Sequence, residues 1–154
     1  MQEFPHHYTV TAKASTASDV ELEADRLAPL SSASPAEFGG PGDRWSPETL
    51  LVAAIGDCLI LTFRAIARGS GLAWTSFECH VTGRLDRVER TTRFVAFDVR
   101  AHLRLPSGGD REHAKRILEK AERKCLISNS LTATVHLTPT IEVATERRDE
   151  LTPV

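Results

Sequence analysis

The chain has 154 residues, of which 41% are hydrophobic and 26% charged, and its net charge is -2. Near neutrality gives no electrostatic footprint for a nucleic-acid partner, and the length allows one domain to bury a core without disulfide or metal staples. Three cysteines argue against a structural disulfide framework, which favours even counts in smaller secreted chains.

The start Met1-Gln2-Glu3-Phe4-Pro5-His6-His7 has neither the basic nor the apolar segment of a signal peptide, so a cytoplasmic location is expected. Residues 8–14 alternate, placing Tyr8, Val10, Ala12 and Ala14 on one face of a half-buried strand. Val20, Leu22 and Ala24 alternate again beyond the turn residues Ser15 to Ser18, which predicts an N-terminal hairpin. From Leu27 to Arg44 the composition shifts to Pro, Ser, Ala and Gly, and an irregular loop is expected.

Ser46-Pro47-Glu48 then reads as a helix start: Ser46 as N-cap, Pro47 in the first helical position and Glu48 in the electropositive first turn. The helix should run to about Arg68, before Gly69 and Gly71. Residues 50–61 are almost wholly apolar, which predicts a central helix covered on most sides, with Asp57 needing a cationic or donor partner. The run contains Asp57 and is followed by Arg64 and Arg68, so it is expected to fall short of a membrane span, which needs roughly 20 apolar residues.

Three further segments have strand periodicity. Phe77, Cys79, Val81 and Leu85 face one way in the first, Val95, Phe97, Val99, Ala101, Leu103 and Leu105 in the second, and Ala133, Val135, Leu137, Ile141 and Val143 in the third. Between the last two, Asp110 caps a second helix whose apolar stripe is Ala114, Ile117, Leu118, Ala121 and Cys125. The order predicts one α+β domain over 1–154, a mostly antiparallel sheet with helices on one side, with a core at about 5–143 and a charged, frayed tail from Ala144.

Chemistry centres on two cysteines. Cys58 lies in the apolar run and Cys125 on the inward stripe of the second helix. Burial alone favours inert packing, because free cysteine behaves as a small hydrophobe. A functional pair would need a lowered thiolate pKa, a substrate route and a second thiol within disulfide reach. Cys79 and His80 point to opposite faces of a strand and make poor partners for one metal, so no metal or cofactor is expected. Trp45 is expected to anchor its loop.

Two stretches, Gly39-Gly40-Pro41-Gly42-Asp43-Arg44-Trp45-Ser46-Pro47-Glu48 through Cys58, and Glu122-Arg123-Lys124-Cys125-Leu126-Ile127-Ser128-Asn129-Ser130, resemble the signature of the OsmC/Ohr family of thiol-dependent hydroperoxide reductases. The resemblance implies that Cys58 is the peroxidatic cysteine and Cys125 the resolving one. It also implies an intertwined homodimer with sites at the interface, an organic hydroperoxide as substrate, and a dithiol such as a lipoyl group as reductant. In that family an arginine near the thiol is held by the Pro-Glu glutamate, which maps onto Glu48. Glu48 and Cys58 stand about 15 Å apart along one helix, so the glutamate would serve the other subunit.

This sequence departs from the pattern in three places: no arginine in the first hairpin turn, leaving Arg44 ahead of Arg26; Leu126 where many relatives have proline; and Asp57 before the first cysteine. Desolvation and a neighbouring carboxylate both oppose a thiolate, so a cation near Cys58 is expected. The competing readings are a non-catalytic member of the fold that binds an apolar ligand or senses oxidation, and a structural dimer with its thiols too far apart to bond.

Overall fold

The structure, a computed structural model, describes residues 3–145. The chain divides into two compact units, one up to Leu51 and one from Val52 onward. The predicted C-terminal tail lies mostly outside the described residues.

In the first unit, β1 (Thr11–Lys13), β2 (Val20–Glu23) and β3 (Leu30–Ser32) form an antiparallel sheet in that order. The predicted hairpin is therefore present, with Ala12 opposite Leu22. Its first strand is shorter than expected, and its supposed inner face is bare: Tyr8 is 89% and Val10 63% exposed. Periodicity reports that a segment has an apolar face, not that something covers it.

The expected irregular loop also needs correction, because β3 and a 3-10 turn at Ala36–Phe38 lie within it. Ser31 and Ser32 pair with β2 despite the Pro- and Ser-rich composition, since tertiary pairing overrides weak local preference. The Trp45 carbonyl accepts from the Ala33 N–H at 2.9 Å, but its side chain, expected to anchor the loop by burial, is 47% exposed and borders a surface cavity with Leu30 and Arg44.

Helix α1 (Pro47–Ser70) starts as predicted. The Ser46 hydroxyl accepts from the Thr49 N–H at 3.1 Å, and the Thr49 hydroxyl accepts from the Ser46 N–H at 2.8 Å, a reciprocal cap. The helix closes at Gly71, whose φ of 69° suits glycine.

Three expectations about α1 are corrected. It is not covered on most sides, because only Ile55, Gly56, Leu59, Phe63 and Ala67 are buried. Asp57 is exposed, so water solvates it and no protein partner is required. The helix is also long and apolar enough to cross a membrane, with 24 residues and a mean hydropathy of 2.0 in its most apolar window. A soluble protein's core helix can meet the same criterion, and here the buried face packs on the second sheet.

That sheet comprises β4 (Ser76–Val88), β5 (Thr91–Leu105) and β6 (Thr134–Val143) in order. Strands β4 and β5 are antiparallel, whereas β5 and β6 are parallel, so the sheet is mixed. The parallel pairing requires a crossover, which α2 (Arg111–Lys124) and α3 (Leu126–Asn129) supply. The predicted inner faces hold: Phe97, Val99, Ala101, Leu103 and Leu105 are buried, and so is the α2 stripe. Asp110 caps α2 by accepting from the His113 N–H at 2.9 Å.

Two glycines let α1 approach β4. A Cβ on Gly83 would stand 2.7 Å from Phe94, 2.9 Å from Phe97 and 2.9 Å from Val52, and one on Gly56 would stand 3.2 Å from Val81. Phe97 is fully buried and has nowhere to move. We expect Gly83→Val to destabilise the protein by about 1–3 kcal/mol through overpacking, read as a lower urea midpoint with an unchanged slope. An unchanged midpoint would show that α1 does not depend on this close approach.

Candidate functional site

Cys58 sits midway along α1, held over the sheet by the neighbouring buried residues Ile55, Gly56 and Leu59. Cys125 follows the last residue of α2, where the backbone leaves the helix at φ -64° and ψ 113° before α3 begins. Both are free thiols; Cys58 is half-buried and Cys125 buried. The fold brings them near enough for each thiol to alter the other's acidity.

Their surroundings differ. Burial pushes the Cys58 thiol up, but the Ile127 N–H, the Cys125 thiol, the Thr62 hydroxyl and the Leu126 N–H pull it down, and the net shift is downward. Thr62 Oγ1 lies 3.9 Å from Cys58 Sγ, one helical turn on. Burial dominates at Cys125, whose thiol is raised although the Ser128 hydroxyl and N–H stabilise its thiolate; the neighbouring Cys58 sulfur adds to the rise. The Ser128 hydroxyl donates to Cys125 Sγ at 3.3 Å. Cys58 thus loses its proton first, with Cys125 as the protonated neighbour that donates to it.

Within one chain the offset to desolvation comes from these four groups, none of which carries a charge. Hydrogen bonds to a thiolate lower its pKa as an adjacent cation would. The sequence reading missed Thr62, Ser128 and the two amides. Thr62 was accessible from its spacing of four on one helix, and Ser128 from the local bonds serines make to nearby groups. The amides were not, because any residue except proline carries one.

The other predicted site residues, Glu48 and Arg44, belong to the first unit. The Arg44 guanidinium pairs with Asp19 at 3.0 Å and with Asp43 at 2.9 Å. Arg26 is exposed and pairs with Asp25 at 3.2 Å. Glu48 borders an apolar cavity of about 440 Å³ together with Leu22, Phe38 and Leu50. Its Oε2 is buried and has no hydrogen-bond partner among the described residues. An unsatisfied buried carboxylate oxygen is costly, so this position is suited to a donor from elsewhere.

Cys79 faces the same side of the sheet, and burial, with Glu78 adding to it, pushes its thiol up to about 11. It is an inert core thiol. Among the described residues no cluster of three or more His, Cys, Asp or Glu could hold a metal ion.

The α+β fold thus carries one thiol on a long helix and a second at the end of another. The profile of the OsmC-like protein family matches residues 40–140, a span that holds Glu48, Cys58 and Cys125, and the chain belongs to that family. The uncharacterised protein YmaD of Bacillus subtilis is 26% identical over 106 residues, covering 67% of this chain and 71% of its own. An OsmC-like protein of unknown function from Vibrio cholerae superposes with a TM-score of 0.76 at 19% identity, over 90% of this chain and 100% of the other. The organic hydroperoxide resistance protein OsmC of Legionella pneumophila superposes at 0.67 and 24% identity, over 92% and 100%. At these identities the superpositions establish a shared fold.

The three thiols should react in a fixed order. At pH 7 we expect iodoacetamide to alkylate Cys58 first and Cys79 last, because only Cys58 titrates below the ordinary thiol range. Peptide mass spectrometry over time checks this, and equal rates at Cys58 and Cys125 would contradict the asymmetry.

Proposed function

We propose that the protein is a thiol peroxidase that reduces organic hydroperoxides to alcohols through Cys58 and Cys125. The observation that carries this reading is the pair of mutually perturbing thiols, with Cys58 pulled down and Cys125 held up. Membership of the OsmC-like family supports it, as does the name of the Legionella relative.

In the first step the Cys58 thiolate attacks the terminal peroxide oxygen. An S–O bond forms, the O–O bond breaks, and the alkoxide takes a proton from solvent to leave as the alcohol. Cys58 is now a sulfenic acid, oxidised by two electrons. The Cys125 sulfur then attacks it, the S–S bond forms, and water leaves with the Cys125 proton. A dithiol such as a lipoyl group returns two electrons by thiol–disulfide exchange. A reducing cytoplasm would keep the pair ready for the next turnover.

Apolar surface at the pair suits an organic rather than an inorganic peroxide. Leu61, one turn from Cys58, is 49% exposed, and Leu126, beside Cys125, is 73% exposed. Such a surface, repeated along the bare part of α1, also suits a homodimer, since a second copy would cover it. In that assembly Glu48 would face the partner's thiol and hold an arginine, Arg44 being the candidate within the Gly-rich loop. Sedimentation should then give about twice the 16.9 kDa chain mass, and a monomer at micromolar concentration would overturn the dimer.

Titration with cumene hydroperoxide tests the chemistry. Wild type should consume one equivalent per chain and lose both thiols. Cys58→Ser should consume none, while Cys125→Ser should stop at one sulfenic acid trappable by dimedone. A wild-type protein that consumes no peroxide is a ligand-binding member of the fold. One that oxidises once and is never reset by a dithiol is a sensor.

A further inference from the structure

Helix α1 is far more apolar than its burial within one chain explains, since only 28% of its most apolar window is buried. The sheet takes the face that holds Ile55, Gly56, Leu59, Phe63 and Ala67. The opposite face is a bare stripe of Ala53, Asp57, Leu61, Arg64, Ala65 and Arg68. All six lie in the second unit. A helix this apolar is ordinarily covered on such a face as well.

The charges on the stripe are arranged about its centre. Asp57 and Arg64 stand two turns apart, about 10.5 Å along the axis, on the same edge of the stripe. They are too far apart to pair with each other, and neither has an ion pair or hydrogen bond among the described residues. Midway between them come Ile60 and Leu61, and Leu61 is 49% exposed. A second copy of the helix, turned by half a revolution about an axis through that midpoint, runs antiparallel to the first. Asp57 of each copy then stands level with Arg64 of the other, on the same edge, and Leu61 meets Leu61 at the centre. Packed helices lie roughly 8–10 Å apart, which leaves such side chains within reach.

We propose that α1 packs antiparallel on α1 of a second copy about Leu61, with each Asp57 bonded to Arg64 of the partner subunit. This deepens the homodimer reading given above and rests on it. A bilayer is the other cover that an apolar helix of this length takes. The charges favour protein: Asp57 and Arg64 fall near the middle of the helix, where a bilayer tolerates charge least, whereas a second copy cancels both. The pairing also brings a cation to the carboxylate that precedes Cys58 in sequence.

Charge reversal tests the pairing. Asp57→Arg or Arg64→Asp alone sets like charges face to face at two symmetric places, and the two together restore opposite charges in exchanged order. At a fixed protein concentration we expect each single variant to lower the urea midpoint by about 0.5 M or more, and the combined variant to lie above either. Residues two turns apart on one helix do not touch, so that recovery reports a contact between chains. Unmoved midpoints in the single variants, or a combined variant no more stable than either, overturn the proposal.

Should a reversal variant fail to fold, Leu61→Cys answers instead. Mild oxidation should link position 61 of one chain to position 61 of another, found by peptide mapping, and the absence of that link overturns the proposal. Wild-type protein that floats with phosphatidylcholine vesicles instead of dimerising overturns it in favour of a membrane. A wild-type dimer that tolerates both reversals overturns the pairing and leaves the homodimer standing, whereas a wild-type monomer overturns both.

Discussion

Close approach of α1 to β4 is the constraint from which the thiol site follows. Gly83 on the strand leaves no room for a methyl group, a Cβ there meeting Val52 at 2.9 Å, and one on Gly56 of the helix would press on Val81 at 3.2 Å. This contact lets Phe63 reach Phe77, with ring centroids 4.8 Å apart, and seals the inner face of the sheet. Cys58 lies two residues beyond Gly56, so its position is fixed by the same packing. The crossover from β5 to β6 then carries α2 over that face and delivers Cys125 to the same sulfur.

Within one chain the downward shift at Cys58 comes from neutral donors. Desolvation by itself would raise a half-buried thiol and leave it unreactive. Several hydrogen bonds aimed at one sulfur reverse the direction, while the neighbour, receiving fewer and lying deeper, keeps its proton. The asymmetry between two chemically identical side chains is thus a difference in donor supply. Pairing a proton-poor thiol with a proton-rich one also makes them neighbours before any oxidation.

Much of the second unit was legible from the sequence. The alternation in β5 and the three-four spacing in α2 identified their buried faces because each period matches one backbone geometry. The caps at Ser46 and Asp110 were readable because a hydroxyl or carboxylate before an apolar-periodic run has a local partner. The first unit was less so. Strand β3 hid in a Pro- and Ser-rich stretch, because its pairing with β2 is non-local. Tyr8 and Val10 looked inward and are bare, because composition does not record what covers a face.

Spacing in the sequence was enough to put Cys58 on α1 and Cys125 in line with the buried stripe of α2, although Cys125 proves to follow the helix's last residue. The sequence also carried the Pro-Glu and cysteine spacing that marks the family. The tertiary structure was needed to bring the two thiols near each other and to set which one is pulled below the ordinary thiol range. A thiol's acidity depends on donors gathered from separate elements, and main-chain donors leave no mark in the identity of a residue.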